Sequence, residues 1–222
     1  MRILIDGLDL SGKSTLAARL TTALEERNLR PIHHRGFLAP HNPLTSPLDT
    51  VKAPDHPMSA LLNTSYLAGC VLDKALGGAR GWERRGLLVQ ESYVDRCLAY
   101  GYASGPWPAA RLALRTPGMF VGFDLAVYLG APLHVRRERL SRRVGANSID
   151  RLSVLSEKFH DDFMTALAMA GRRHRRVLTF DTSRHSTELI TEQITEHVTQ
   201  LLSDGKGSRG GDREKHRKEA FR

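Results

Sequence analysis

The stretch Gly7-Leu8-Asp9-Leu10-Ser11-Gly12-Lys13-Ser14 fits the phosphate-cradling pattern G-x-x-x-x-G-K-[ST] at every fixed position. It lies between Ile3-Leu4-Ile5, which reads as a strand, and Thr15-Leu16-Ala17-Ala18-Arg19-Leu20, which reads as a helix. A strand that turns on glycines straight into a helix predicts β-α units and a mainly parallel sheet. The same stretch implies an anionic ligand. Gly7 and Gly12 permit a tight turn with its N–H groups facing inward, Lys13 can reach the β- and γ-phosphates, and Ser14 can ligate Mg²⁺. The helix start adds its dipole. Gly7, Asp9, Ser11, Gly12, Lys13, Ser14 and Thr15 are the expected nucleotide contacts, although the loop alone does not separate ATP from GTP.

Further strands are expected at Pro31–Arg35, Leu87–Glu91, Leu125–Leu129 and Val177–Asp181. Helical patterns cover Ser59–Leu76, a segment ending near Thr116-Pro117-Gly118, the basic segment after Pro132, Asp150–Ala170 and Glu188–Leu202. The result is an α/β fold with a five-stranded, mainly parallel sheet and helices on both faces. Gly36–Pro57, rich in proline, is expected to be irregular and to border the substrate site, with His56 in its loop structure. Gly105-Pro106-Trp107-Pro108 reads as a turn or a distorted helix start.

The 222 residues suit one domain over 1–203, followed by a basic tail over 204–222 that is expected to be disordered. No 18-residue apolar run is present, and the first strand begins at once, so a cytoplasmic protein without a membrane span is expected. Cys70 and Cys97 have neither metal-ligand nor disulfide-scaffold spacing. The net charge of +9 is concentrated in Arg136–Arg143, Arg172–Arg176 and the tail. No nucleic-acid-binding signature accompanies it, and a site for polyphosphate also needs positive charge.

Several landmarks together resemble the thymidylate kinase family of nucleoside-monophosphate kinases. They are the phosphate loop with Asp9; Glu91-Ser92-Tyr93-Val94-Asp95-Arg96 with Ala99-Tyr100; Phe123-Asp124-Leu125 at the head of the fourth strand; and the arginine-rich segment followed by Asp150-Arg151-Leu152 and Phe159-His160. The resemblance spans residues 1 to about 200. It implies a P-loop kinase fold, transfer of the ATP γ-phosphoryl group to a small nucleotide-like acceptor, Mg²⁺, a homodimer, and an arginine-rich lid around 136–150 that closes over the phosphates. Some family members carry a catalytic arginine inside the phosphate loop, whereas Leu10 stands in this one. Arg139, Arg142 or Arg143 must then serve, with Arg139 and Arg143 favoured as catalytic and Arg142 expected on the nucleotide. Gly145 suits a lid hinge. Asp9 either lies near the acceptor sugar and metal shell or caps the turn.

The pattern breaks on the acceptor side. Glu91-Ser92 replaces the family's Asp-Arg pair; Glu91 can organise Mg²⁺ with Ser14 or take a proton from an acceptor hydroxyl. Serine cannot grip a phosphate, so Arg96, Arg111 or Arg115 are the expected replacements. Arg35 is the arginine left after the second strand, and Phe37 either stacks on a planar substrate or packs in the core. Asn63 and Tyr66 offer neutral hydrogen bonds where the family has charge, and Tyr100 completes the acceptor set. The acceptor is therefore open between a nucleotide phosphate and a hydroxyl of a nucleoside or other metabolite, and a non-kinase ATP-binding switch is a further reading.

Overall fold

All five expected strands form: β1 (Arg2–Gly7), β2 (Pro31–Arg35), β3 (Leu87–Glu91), β4 (Leu125–Gly130) and β5 (Val177–Asp181). A computed structural model describes residues 1–51, 59–105 and 107–219, with the side chains at 49–51, 79, 83, 84 and 204–219 left aside. The strands align in the order β2-β3-β1-β4-β5, and every pairing is parallel. Their burial follows that order. β3 and β4 are buried along their whole length, as continuous apolar runs in a two-sided sheet should be, whereas β2 and β5 at the edges are partly exposed.

The helices are α1 (Lys13–Glu26), α2 (Thr45–Val51), α3 (Ala60–Ala75), α4 (Gly78–Arg85), α5 (Val94–Ala103), α6 (Pro108–Arg115), α7 (Leu133–Ser141), α8 (Ser148–Leu152), α9 (Glu157–Gly171) and α10 (Thr187–Glu219). Parallel crossovers are right-handed, so direction of travel across the sheet decides which face each helix covers. Only β1 to β2 runs one way; the connections from β2 to β3, β3 to β4 and β4 to β5 run the other. Accordingly Ile3 and Ile5 of β1 pack with Leu16, Leu20 and Leu24 of α1 and with Ile190, Ile194 and Val198 of α10. Leu4, pointing to the opposite face, packs with Leu67 of α3, Leu98 of α5 and Phe163 and Leu167 of α9. The reversal at β1 leaves a crevice beyond the carboxyl ends of the central strands, the usual ligand position in such sheets.

Three boundaries differ from expectation. The block Asp150–Ala170 is two helices, because Asn147 and Asp150 form a capping box at the start of α8 and Ser156 separately caps α9 through the Phe159 N–H. Gly36–Pro57 is not wholly irregular: it contains α2, which begins three residues after Asn42 has accepted the Leu44 N–H. The last helix continues past Leu202 to Glu219, since a polar, glycine-bearing segment lacks a core-facing stripe yet can still satisfy its backbone within the helix. His56 and Pro106 lie outside the described residues. Among the described residues, no helix is long and apolar enough to cross a membrane.

Candidate functional site

A cleft of about 790 Å³ opens at the carboxyl end of the sheet. Its floor is the turn Asp9–Ser14 with the first residues of α1, and its walls include Arg35, Glu91, Ser92, Arg96, Arg139, Arg143 and the Thr182–Glu188 segment. The turn is tightly specified. Gly7 has φ +142°, and a Cβ there would stand 2.1 Å from the Leu129 carbonyl oxygen, so any side chain would push β1 away from β4. Gly12, with φ +92°, stands in the left-handed region at the N-cap of α1.

Lys13 is buried and its ammonium group donates to the carbonyl oxygens of Gly7 (3.0 Å) and Leu8 (2.7 Å), with the Asp9 carboxylate at 3.3 Å. Burial pulls its pKa below the usual lysine value against the opposing charges of Asp9 and Asp6. Ser14 Oγ donates to Glu91 Oε1 at 2.6 Å. This contact joins the start of α1 to the end of β3 and places a hydroxyl beside a carboxylate. The other Glu91 oxygen, Oε2, lies 3.2 Å from His33 Nε2, and the Arg35 guanidinium stands 3.8 Å from Oε1.

Asp9 is held from the opposite wall. Arg96 and Tyr100 are one turn apart on α5 and so share a face; Arg96 Nη2 meets Asp9 Oδ2 at 2.6 Å and the Tyr100 hydroxyl donates to the same oxygen. Burial alone would raise the Asp9 carboxyl, but the charges of Arg96 and Lys13 and the Tyr100 hydrogen bond outweigh it and hold the group well below the usual carboxylate range. Asp9 is therefore an anchored anion and a poor proton acceptor.

The lid arginines have unequal places. Arg139, on α7, donates to the Leu10 carbonyl at 2.8 Å and to Thr182 Oγ1 and O at 3.0 Å each, tying the turn to the segment after β5. Leu10 pays for this carbonyl orientation with φ +66°, a conformation uncommon for a branched residue. Arg143 lines the cleft while pairing with Asp150 at 3.2 Å, and Gly145 beyond it has φ +74°. Arg142 does not line the cleft; at the C-cap of α7 it is exposed and pairs with Glu138 one turn back.

The residues expected on the acceptor side take different places in the structure. Arg111 and Arg115 are exposed on α6 and do not line the cleft, so they do not converge with Arg96. Asn63 is fully buried and donates to the Cys97 carbonyl at 2.6 Å, clamping α3 to α5 rather than facing a ligand. Phe37 packs against Gly69 of α3, where a Cβ would fall 2.4 Å from its ring, and its centroid lies 6.0 Å from that of Tyr66. Neither aromatic lines the cleft. Arg35 and Arg96 do, and Tyr100 reaches the site only through Asp9.

Several charged residues were missed by sequence reasoning. Asp6 is buried at the end of β1, where Oδ1 accepts the Gly7 N–H and Oδ2 accepts the Tyr93 and Arg96 N–H groups, fixing the phosphate turn to the start of α5. Asp95 is buried between Arg173 and His174. Arg136, at the heart of the basic segment, is fully buried and donates to the Ala131 and Ser153 carbonyls, so it ties α7 to the chain on either side of it. His185 lines the cleft beside Thr182. An acid inside an apolar strand was the available signal for Asp6; nothing in the local pattern marks the others.

Burial, and then the Asp95 charge, push the Asp6 carboxyl up to about 7 from its ordinary 3.8. A raised carboxyl binds its proton more tightly in the folded chain, so its contribution is complete below pH 3.8 and is lost as pH rises to about 7. Asp9 works in the opposite sense: its contribution holds above pH 3.8 and is lost as pH falls through its lower native value. Urea unfolding between pH 4 and 7 is expected to show wild-type stability falling relative to Asp6→Asn; parallel curves would contradict this.

No family model matches the chain, and no curated protein matches it either. Among the described residues, no three His, Cys, Asp or Glu side chains gather as a metal-binding group. Mg²⁺ does not need such a group, because it keeps several waters and takes one or two protein oxygens together with phosphate oxygens. The Ser14 hydroxyl and Glu91 carboxylate, 2.6 Å apart in the cleft, fit that requirement.

Proposed function

We propose that this chain is a small-molecule kinase of thymidylate kinase-like design, transferring the γ-phosphoryl group of ATP to a small nucleotide-like acceptor. The observation that carries the reading is the 2.6 Å contact between Ser14 and Glu91 directly beside Lys13. In this reading Ser14 and Glu91 would hold Mg²⁺, which when bound neutralises charge on the β- and γ-phosphates. Lys13 exchanges the Gly7 and Leu8 carbonyls for phosphate oxygens, and the Gly7–Ser14 turn binds the phosphates through its N–H groups. Arg139 and Arg143 bring guanidinium groups over the transferring phosphoryl group and exclude water. Asp9, fixed by Arg96 and Tyr100, orients the acceptor. The homodimer belongs to the same reading and is tested by sedimentation of the purified chain.

A second reading of the acceptor is favoured by the position of Arg111 and Arg115 outside the cleft. Arg35 and Arg96 are the arginines on the acceptor side, and Arg96 already neutralises Asp9. A phosphate acceptor needs positive charge to position it, whereas a neutral hydroxyl needs a base, and Glu91, at the end of β3 in the cleft wall, is the carboxylate assigned that role in this reading. The test is a panel of nucleoside monophosphates, nucleosides and hydroxylated metabolites with ATP and Mg²⁺, read by product mass. A phosphorylated member supports the kinase and shows which nucleophile it uses. ATP consumption with no phosphorylated compound supports the switch or ATPase reading instead. With a hydroxyl acceptor, Glu91→Gln is expected to lower turnover about 10²–10⁴-fold while metal-free ATP binding changes little; unchanged turnover removes Glu91 from the chemistry.

A further inference from the structure

Glu91 carries one more methylene than the aspartate that the resemblance leads one to expect at the end of β3, and an extra rotatable bond must be fixed if its carboxylate is to present one oxygen to Ser14. β2 supplies the restraint. In the parallel register Arg35 stands opposite Glu91, and His33, two residues earlier, shares the same face of β2. The direct neighbour, Arg35, stands 3.8 Å from Oε1, and the diagonal neighbour, His33, stands 3.2 Å from Oε2. An ionised carboxylate only accepts, so the His33 Nε2–H donates in this contact. His34, on the other face, instead meets Gln90 Oε1 at 2.8 Å and packs on Trp82.

We propose that His33 is a positioning residue for metal binding: by holding Glu91 Oε2 from behind, it keeps Oε1 on Ser14 and so sets the oxygen pair offered to Mg²⁺. His33 does not line the cleft, which separates its role from that of a group touching nucleotide. The inference rests on the reading of Ser14 and Glu91 as the Mg²⁺ residues and adds the device that orients them. Partners that orient a ligating carboxylate are typically worth about 10–100-fold in metal affinity.

The experiment needs no turnover. Mn²⁺ is titrated into the full chain with ADP and followed by electron paramagnetic resonance, with metal-free ADP binding measured in parallel. His33→Ala is expected to weaken Mn²⁺ binding about 10–100-fold with metal-free ADP affinity kept, and His33→Gln, which retains an N–H donor, is expected to recover most of it. Wild-type chain that binds no Mn²⁺ with ADP would sink the metal reading itself. Wild-type binding that His33→Ala leaves unchanged would overturn the role of His33 alone. A loss that His33→Gln does not restore, or that removes metal-free ADP binding equally, would also overturn it, because either pattern marks general damage to β2.

Discussion

Lys13→Ala is expected to lower ATP-dependent product formation about 10²–10³-fold while leaving the melting temperature at or above that of the wild type. In the proposed reaction the catalytic loss follows from removing a preorganised cation from the place where phosphoryl charge would develop. The stability expectation follows from burial. The ammonium group has little access to water, its pKa is pulled down by that burial, and it is satisfied mainly by carbonyl oxygens that the turn can present to water instead. Parallel measurement of turnover and thermal unfolding checks both halves. Full activity would contradict the proposed donor site, and a large fall in melting temperature would assign Lys13 to folding.

Arg173→Met has the opposite expected signature: a loss of about 3–5 kcal/mol in urea unfolding. Arg173 is almost wholly buried, pairs with Asp95, and donates to the Val121 carbonyl at 3.2 Å and the Ala170 carbonyl at 3.0 Å. Methionine keeps much of the volume but leaves Asp95 with His174, whose Nε2 lies 3.0 Å away. The Arg173 charge and the His174 hydrogen bond now hold the Asp95 carboxyl below its usual range against burial, so removing the guanidinium leaves a partly uncompensated charge. A change under about 1 kcal/mol would show that the pocket admits water and that the pair is not a keystone of the α5–α9 packing.

β1, β3, β4 and β5 were legible because each is built around a short apolar run, and parallel two-sided strands need no alternation to announce them, whereas β2 carries two histidines and an arginine in five residues. The phosphate turn was legible because its glycines and lysine sit at fixed spacing on one continuous segment. The acceptor wall was not. Asn63 and Phe37 lie on elements whose correct faces depend on how α3 meets α5, and the same amide or ring serves a ligand or a helix contact equally well. Arg111 and Arg115 were drawn toward the site by charge alone, while the rotation of α6 puts them in solvent. Asp95 and Arg96 are adjacent, yet helical geometry sends one to Arg173 and the other to Asp9, a division visible only once α5 is docked. The break between α8 and α9 was not read from the sequence; it lies at Ser156, whose side chain accepts the Phe159 N–H and starts α9 afresh.

The strand order has a consequence for how the molecule comes into being. β1 is made first but occupies the middle of the sheet, with Ile3 paired to Val89 on one side and to Leu125 on the other. During synthesis the phosphate turn therefore emerges long before either flanking strand exists to hold it, and the Ser14–Glu91 contact must await β3. Such distant pairings make closure of the sheet a late and slow event in folding. A ligand that requires the finished cleft, as the proposed nucleotide would, favours only the completed domain, drawing the last steps of assembly forward by mass action while leaving the nascent chain untouched.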